Sequence, residues 1–324
     1  MIDITPMNIR IWSRLGSCGA FGQAALALPK VEERTVILTA DVCSFSGLER
    51  FRAQHPDRLY NMGIAEQNMI AVAAGLSHEG FVPFATTYAS FAVMRSADQV
   101  KVCMGYMGLG VKLVGLAAGY SVGILGPTHM CLEDIAVMRA IPNIVILSPA
   151  DCTATVKATL AAAKIDAPVY LRLTGSMNCP IVYKEDFNFE IGRAIFLREG
   201  TDVSIIATGS MVYIAIKASE KLAELGISAE VIDMHTIRPI DKEAIERACT
   251  KKLIITLEEH SVTGGLGSAV AEILAGEASR PAQLILGTEG PYPHAADYPS
   301  LLENSGLTPD KIATRISQTY KELF

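Results

Sequence analysis

The sequence predicts an α/β protein of two domains, each a mostly parallel sheet flanked by helices. Three observations carry that expectation. Short apolar runs rich in β-formers alternate with Ala-rich segments of helical spacing, the order that yields a parallel sheet covered on both faces. Half of the 324 residues are apolar and only 19% are charged, as strands buried on both sides require. The alternation breaks once, over residues 176–190, and splits the chain into two portions near the usual domain size of about 150 residues. The expected organisation is a first domain over 1–175, a linker over 176–190 and a second, smaller domain over 191–324.

In the first portion, strands are expected at Thr35–Thr39, Leu59–Asn61, Val82–Ala85, Val111–Leu116, Ile144–Ser148 and Val169–Leu173. Helices are expected at Gln67–Leu76, Ser96–Met104, Leu132–Arg139 and Ala150–Ala163. Pro149 closes the strand before the last of these, and Asp151 is placed to cap it. In the second portion the strands are Ala194–Leu197, Val203–Ala207, Ala229–Asp233, Leu253–Glu258 and Gln283–Gly287. The helices there are Val212–Leu225, Lys242–Thr250 and Leu266–Ala275.

Composition excludes several classes. With 28 basic and 34 acidic residues the formal charge is −6, and no Lys/Arg run offers a nucleic-acid surface. The longest apolar stretch, Val102 to Leu125, is broken by Lys112 and six glycines, so no membrane span is expected. Seven widely spaced cysteines without a Cys-x-x-Cys predict free thiols, with neither a disulfide framework nor a zinc site. The first ten residues lack the basic and apolar regions of a secretory signal, so the cytoplasm is the expected compartment.

Four segments could carry chemistry. In Asn61-Met-Gly-Ile-Ala-Glu66-Gln, a glutamate stands in the first turn of an apolar helix. The helix dipole alone would favour it there, but a buried carboxylate needs a partner or a raised pKa. Tyr88, Phe91 and Met94 are spaced by three, so on a helix they share one face. That face is either a core stripe or a wall on which a flat ring stacks. Gly123-Ile-Leu-Gly126-Pro-Thr-His129 is a loop after a strand, and its histidine is either merely solvated or placed to exchange protons near neutral pH. Glu258-Glu-His-Ser-Val-Thr-Gly264-Gly-Leu-Gly267 runs from strand into helix. It reads mainly as tight packing, with anion binding on backbone N–H groups as the alternative. No dinucleotide or Walker fingerprint occurs.

Taken in order, these segments resemble the C-terminal half of transketolase, its pyrimidine-binding domain followed by its small C-terminal domain. The carrying motifs are Gly63-Ile-Ala-Glu66-Gln, Thr87-Tyr-Ala-Ser-Phe91, Gly126-Pro-Thr-His129, Asp233-Met-His-Thr-Ile-Arg-Pro-Ile-Asp241, and Glu258-Glu-His with Gly264-Gly-Leu-Gly267. They span nearly the whole chain from about residue 18. The resemblance implies a transferase that moves a two-carbon ketol unit from a ketose to an aldose through thiamine diphosphate. It implies that the Glu66 carboxyl hydrogen-bonds N1′ of the aminopyrimidine and favours the imino tautomer that takes the C2 proton. It further places Tyr88, Phe91 and Met94 around the pyrimidine ring, Asp41 along the cofactor across a subunit interface, and His129 on the sugar donor. Met94 stands where an aromatic is usual, although Met also packs well on rings.

Departures from the family pattern are informative. Leu125 replaces the acidic residue before Gly-Pro-Thr-His, and Ala117 falls where the family has a histidine. The family's phosphate-binding arginines fall near Cys18 and Gly175, with Arg172 close by. Neither Cys nor Gly replaces an Arg–phosphate pair, so the resemblance implies either an unusual sugar donor or a donor whose terminal group is bound elsewhere. No Gly-Asp-Gly occurs, the motif that anchors diphosphate and its Mg²⁺ or Ca²⁺ in the family's N-terminal half. The expectation is therefore a split enzyme. Its cofactor would be shared with an N-terminal partner subunit that carries the metal, this chain itself holding none, in an α2β2 heterotetramer with paired β chains. The rival readings are a deoxyxylulose phosphate synthase-like enzyme or the β subunit of a 2-oxo acid dehydrogenase, and, in another class, a non-catalytic interaction or regulatory subunit.

Overall fold

The computed structural model describes residues 2–277 and 280–324. Every strand expected from the sequence is present, within a few residues at each end. The first sheet contains β1 (Thr35–Thr39), β2 (Leu59–Asn61), β3 (Val82–Tyr88), β4 (Lys112–Leu116), β5 (Val145–Leu147) and β6 (Val169–Arg172). The second contains β7 (Ile195–Arg198), β8 (Val203–Ala207), β9 (Ala229–Asp233), β11 (Leu253–Ser261) and β12 (Ala282–Thr288). Between β6 and β7 no described residue is helical or extended into a strand. Among the described residues, no helix is long and apolar enough to cross a membrane.

One strand was not expected. β10 (Thr236–Arg238) pairs antiparallel with β5, setting Thr236 opposite Leu147. The first sheet therefore has seven strands in the order β10-β5-β6-β4-β3-β1-β2, and the second has five in the order β12-β11-β8-β9-β7. Three residues beside a proline give too little periodicity to reveal a strand. The Asp233–Asp241 motif thus does architectural work. β10 crosses back to the first sheet, and Asp241 caps the helix Lys242–Ala248 by accepting from Ala244 N at 3.1 Å. Ile206, Ile232, Ile237, Leu266 and Val270 of the C-terminal half share one apolar cluster with Leu38, Ala85 and Leu113.

The sequence pattern does not reveal the short helices Leu28–Val31 and Glu49–Gln54 or the longer ones at the two ends. Pro6–Ala25 is one helix kinked at Gly16 (φ 76°), and the glycines at 16, 19 and 22 dilute its pattern. Tyr298–Asn304 and Pro309–Leu323 close the chain. Asp151 caps Cys152–Ala163 as expected, accepting from Ala154 N at 2.8 Å. The expected helix Ser96–Met104 is instead a short Ala97–Gln99 turn flanked by wider π-type turns, Phe91–Arg95 and Val100–Tyr106. Such turns recur at functional sites.

Arg172, close in sequence to a position where the family has a phosphate-binding arginine, is fully buried. Its Nε donates to Asp134 at 2.7 Å and its Nη2 to the Glu259 carbonyl at 2.9 Å, while Tyr170 OH donates to the same carboxylate at 2.6 Å. Burial works against the Asp134 charge, yet the guanidinium beside it holds the carboxyl below the usual aspartate range. Arg172 therefore ties the first sheet to β11 and cannot reach a substrate. Asp134→Ala should cost about 3–5 kcal/mol in urea unfolding, because it strands a buried charge. The double change Asp134→Leu/Arg172→Met should recover much of that loss.

A second buried pair sits under β10. Burial pushes the Asp233 carboxyl up to about 7 and the His235 imidazole down to about 4. Tyr183 OH donates to Asp233 at 2.6 Å, and His235 stacks on Phe189. An aspartate raised above its unfolded value holds its proton longer when folded, so its contribution is lost as pH rises from about 4 through 7. The histidine acts oppositely, losing its contribution as pH falls from 6.5 through 4. Removing one slope exposes the other. Stability of Asp233→Asn relative to the native chain should rise with pH between 4 and 7, by up to about 1.4 kcal/mol per unit. Equilibrium unfolding across that range checks it.

Candidate active site

Parallel strands buried on both faces leave their carboxyl ends as the place for ligands, most of all where the strand order reverses. Here the order reverses between β1 and β3, which lie side by side while their neighbours β2 and β4 diverge. Asp41 follows β1, Glu66 opens the helix after β2, Tyr88 ends β3, and His129 lies in the loop after β4. Among the described residues, two of the four non-glycine ones with left-handed φ, Asp41 (59°) and Ala117 (53°), stand just past β1 and β4. Strain of this kind clusters at functional sites.

Glu66 is 2% exposed and belongs to the helix Glu66–His78. Gly63 (φ 69°) turns the chain so that the helix starts there. The carboxylate is not left alone, because Arg95 Nη1 donates to Glu66 Oε1 at 2.8 Å. The Arg95 guanidinium in turn lies over the Phe91 ring, 4.0 Å from its centroid. The partner that a buried carboxylate demands is thus an arginine one turn beyond the aromatic segment.

Tyr88, Phe91 and Met94 do not form a helical core stripe. Tyr88 ends a strand, Phe91 and Met94 ride on a π-type turn, and Met94 is 45% exposed. His129 stands edge-on to both rings, with centroids 5.6 Å from Tyr88 and 5.2 Å from Phe91. Its Nδ1 lies 3.0 Å from Thr128 Oγ1. Phe45, from the loop after β1, adds a further ring 4.8 Å from Tyr88. Beside this wall, Phe91, Met94, Arg95, Thr128, Glu133 and Tyr292 border a cavity of about 280 Å³.

The loop bearing His129 is pinched at its base. Gly119 and Cys131 exchange backbone hydrogen bonds of 2.8 and 3.2 Å. Behind it, the buried Glu259 carboxylate accepts from Tyr120 N at 2.6 Å, from Tyr298 OH at 2.7 Å and from Ser210 Oγ. Glu258 fills the start of the helix Leu266–Leu274, accepting from Leu266 N and Gly267 N at 2.7 and 2.8 Å. The anion on that glycine-rich turn is therefore the chain's own side chain.

Asp41 is exposed, and its position is set by Asn61. The Asn61 amide oxygen accepts from Asp41 N (3.1 Å) and Gly63 N (3.0 Å), and its nitrogen donates to Asp41 Oδ1 at 2.9 Å. One side chain thus fastens the end of β1 to the turn before Glu66. Asn61, Phe45, Arg95, Glu133 and Tyr292 were missed by the sequence reading. Only Asn61 and Arg95 lay within segments singled out, and nothing local marked their partners.

The fold and this edge define a two-domain α/β protein that sets a buried acid and a cluster of aromatic rings at the carboxyl ends of its first sheet. The chain belongs to the transketolase family. Residues 17–179 match the transketolase pyrimidine-binding domain and 192–312 the transketolase C-terminal domain, and membership implies thiamine diphosphate dependence. The chain is 39% identical over 93% of its length, and 95% of the relative's, to a protein of Methanocaldococcus jannaschii named as a transketolase C-terminal section. It is 40% identical to a 6-deoxy-6-sulfo-D-fructose transketolase subunit of a Clostridium species, over 87% of each chain. A solved split-gene transketolase, an inactive β4 tetramer, superposes with a TM-score of 0.84 at 37% identity, covering 95% of this chain and 99% of that one.

The residues present fit the aminopyrimidine of that cofactor, with a buried carboxylate near half-buried rings and an adjoining cavity. Asn61→Ala should release both Asp41 and Gly63. Proteolysis in the 41–47 loop should quicken, and unfolding free energy should fall by about 1–2 kcal/mol. Unchanged protease sensitivity would count against the clamp.

Proposed function

We propose that this chain is the C-terminal, β subunit of a two-subunit transketolase-like enzyme, a cytoplasmic transferase of carbohydrate metabolism. It moves a two-carbon ketol unit from a ketose donor to an aldose acceptor. The observation that carries the reading is Glu66 set beside the Phe45–Tyr88–Phe91–His129 wall, in a chain without the Gly-Asp-Gly that anchors diphosphate. An N-terminal partner subunit would supply that anchor together with Mg²⁺ or Ca²⁺, in an α2β2 assembly with paired β chains. The organisation read from the sequence, with a linker at 176–190, is kept in this proposal.

When bound, thiamine diphosphate supplies the carbanion chemistry of ketol transfer. This chain's residues prepare it. Glu66 would hold the aminopyrimidine at N1′ and keep a proton there. Arg95 holds the carboxylate in place until then, and its own guanidinium is kept by the Phe91 face. Tyr88, Phe91 and Met94 enclose the ring and exclude water, while Asp41 borders the cofactor. His129 faces the donor's oxygen substituents and assists proton transfer, with its ring fixed edge-on between two aromatics.

The donor is non-standard in this reading. Arg172 is spent on Asp134, Cys18 is a thiol that burial pushes up to about 11, and Leu125 is exposed before the His129 loop. None of these binds a phosphate. The relative named for 6-deoxy-6-sulfo-D-fructose shows that a similar chain takes part in turnover of a sugar that ends in sulfonate.

The test is to co-purify the chain with an N-terminal transketolase subunit and assay ketol transfer with and without thiamine diphosphate. Glu66→Gln should keep the fold and lower turnover at least 100-fold. Full turnover by Glu66→Gln, or by this chain alone, would sink the reading.

A further inference from the structure

We infer that Arg95 stands in for the cofactor's aminopyrimidine. Its guanidinium holds the carboxylate and the ring face meant for that heterocycle, and it has to swing away before the cofactor seats. The inference rests on the transketolase-like reading and adds to it a contact that regulates access to the same site.

Arg95 closes the π-type turn Phe91–Arg95 and so returns to the ring at the start of that turn. Two contacts hold it. Nη1 donates to Glu66 Oε1 at 2.8 Å, and the guanidinium carbon lies 4.0 Å from the Phe91 ring centroid. Among the described residues its Nε and Nη2 donate to nothing, and the Glu66 carboxylate accepts from nothing else. The pair is layered. The Glu66 side chain is 3% exposed and that of Arg95 44%, so the guanidinium is the outer member and covers the carboxylate.

These contacts are the ones an aminopyrimidine would make. A guanidinium is a flat, delocalised group with N–H donors along its edge, and it stacks on aromatic faces. A flat heterocycle that meets Glu66 through a ring nitrogen and packs against Phe91 needs the same carboxylate and the same ring. Charge sharpens the conflict. Arg95 is never without its charge, while the proposed role of Glu66 is to keep a proton at N1′. A fixed cation and a shared proton compete for one carboxyl group.

The surroundings let the guanidinium leave. One hydrogen bond and one ring face hold it only weakly at a half-exposed position. Arg95 also borders the cavity of about 280 Å³, whose lining includes Glu133. That carboxylate is itself fixed, accepting from Leu132 N at 3.0 Å and from Tyr292 OH. A guanidinium that lets go of Glu66 thus finds room and a second carboxylate in the same cavity. Its departure draws on the affinity of whatever displaces it, because only the open fraction of molecules can bind.

The test measures thiamine diphosphate binding by calorimetry. It compares the native chain and Arg95→Met, each in complex with the N-terminal transketolase subunit. Met keeps the apolar stem and removes the guanidinium. The variant should bind about 3-fold more tightly or better, with unchanged stoichiometry. Equal or weaker binding by a folded variant overturns the inference and leaves the transketolase-like reading standing. A crystal structure of the native complex with thiamine diphosphate decides the matter even where the variant does not fold. Arg95 beyond hydrogen-bond distance of Glu66 is the expected result, and Arg95 still bonded to Glu66 beside the bound cofactor overturns the inference. A native complex that fails to form or to bind thiamine diphosphate overturns both.

Discussion

Burial of a parallel sheet on both faces is the constraint from which the rest of this molecule follows. Every residue of β1, β4, β6, β8 and β9 is buried, so a polar side chain within them, such as Arg172 or Asp233, is committed to a buried partner, unlike the groups of the candidate site. They gather at the carboxyl ends, where the chain leaves the sheet and side chains meet solvent. Glu66, Tyr88, His129 and Asp41 come from four different strand exits and reach one place for this reason. Apolar burial thus places the chemistry without any of the reactive residues being near one another in sequence.

A parallel sheet does not fix its own exit loops, and here that task falls to buried charge. Glu259 gathers three donors from three separate segments, among them the loop that carries His129. Arg172 reaches from the first sheet to the backbone of the same residue. The two domains are therefore joined by hydrogen-bonded ions as well as by a shared apolar cluster. Hydrophobic packing resists separation but tolerates sliding. Charges with defined partners resist sliding, because a shift of an ångström breaks bonds that are costly to leave unmade.

The sequence made the strands legible because each is a run of buried β-formers between turn signals. It hid β10, which is three residues long and gains its meaning from a partner some 90 positions earlier. The site was legible in the same measure. Glu66, Tyr88, Phe91 and His129 sit in local motifs, and the structure brings the three rings together and sets Glu66 one arginine away. What sequence could not show was contact between motifs: that Arg95 pairs with Glu66, that Asn61 fastens Asp41, and that Arg172 turns inward. Arg172, the last residue of β6, lies close in sequence to a position where the family holds the sugar phosphate. Its commitment is visible only when Asp134 arrives from the start of a helix.

The exposed aromatic wall and the apolar row on Pro6–Leu15 share one physical problem. Phe45 and Met94 are exposed at the carboxyl edge beside the half-buried Tyr88 and Phe91, and Met7, Ile11 and Leu15 are exposed on the helix segment Pro6–Leu15. A soluble surface gains nothing from either group, because each leaves ordered water on apolar area. Sequence drift toward polar residues would have relieved the cost at no harm to the core, since Ile9 and Trp12 already anchor the helix. Both groups therefore keep a cost that the fold itself does not repay.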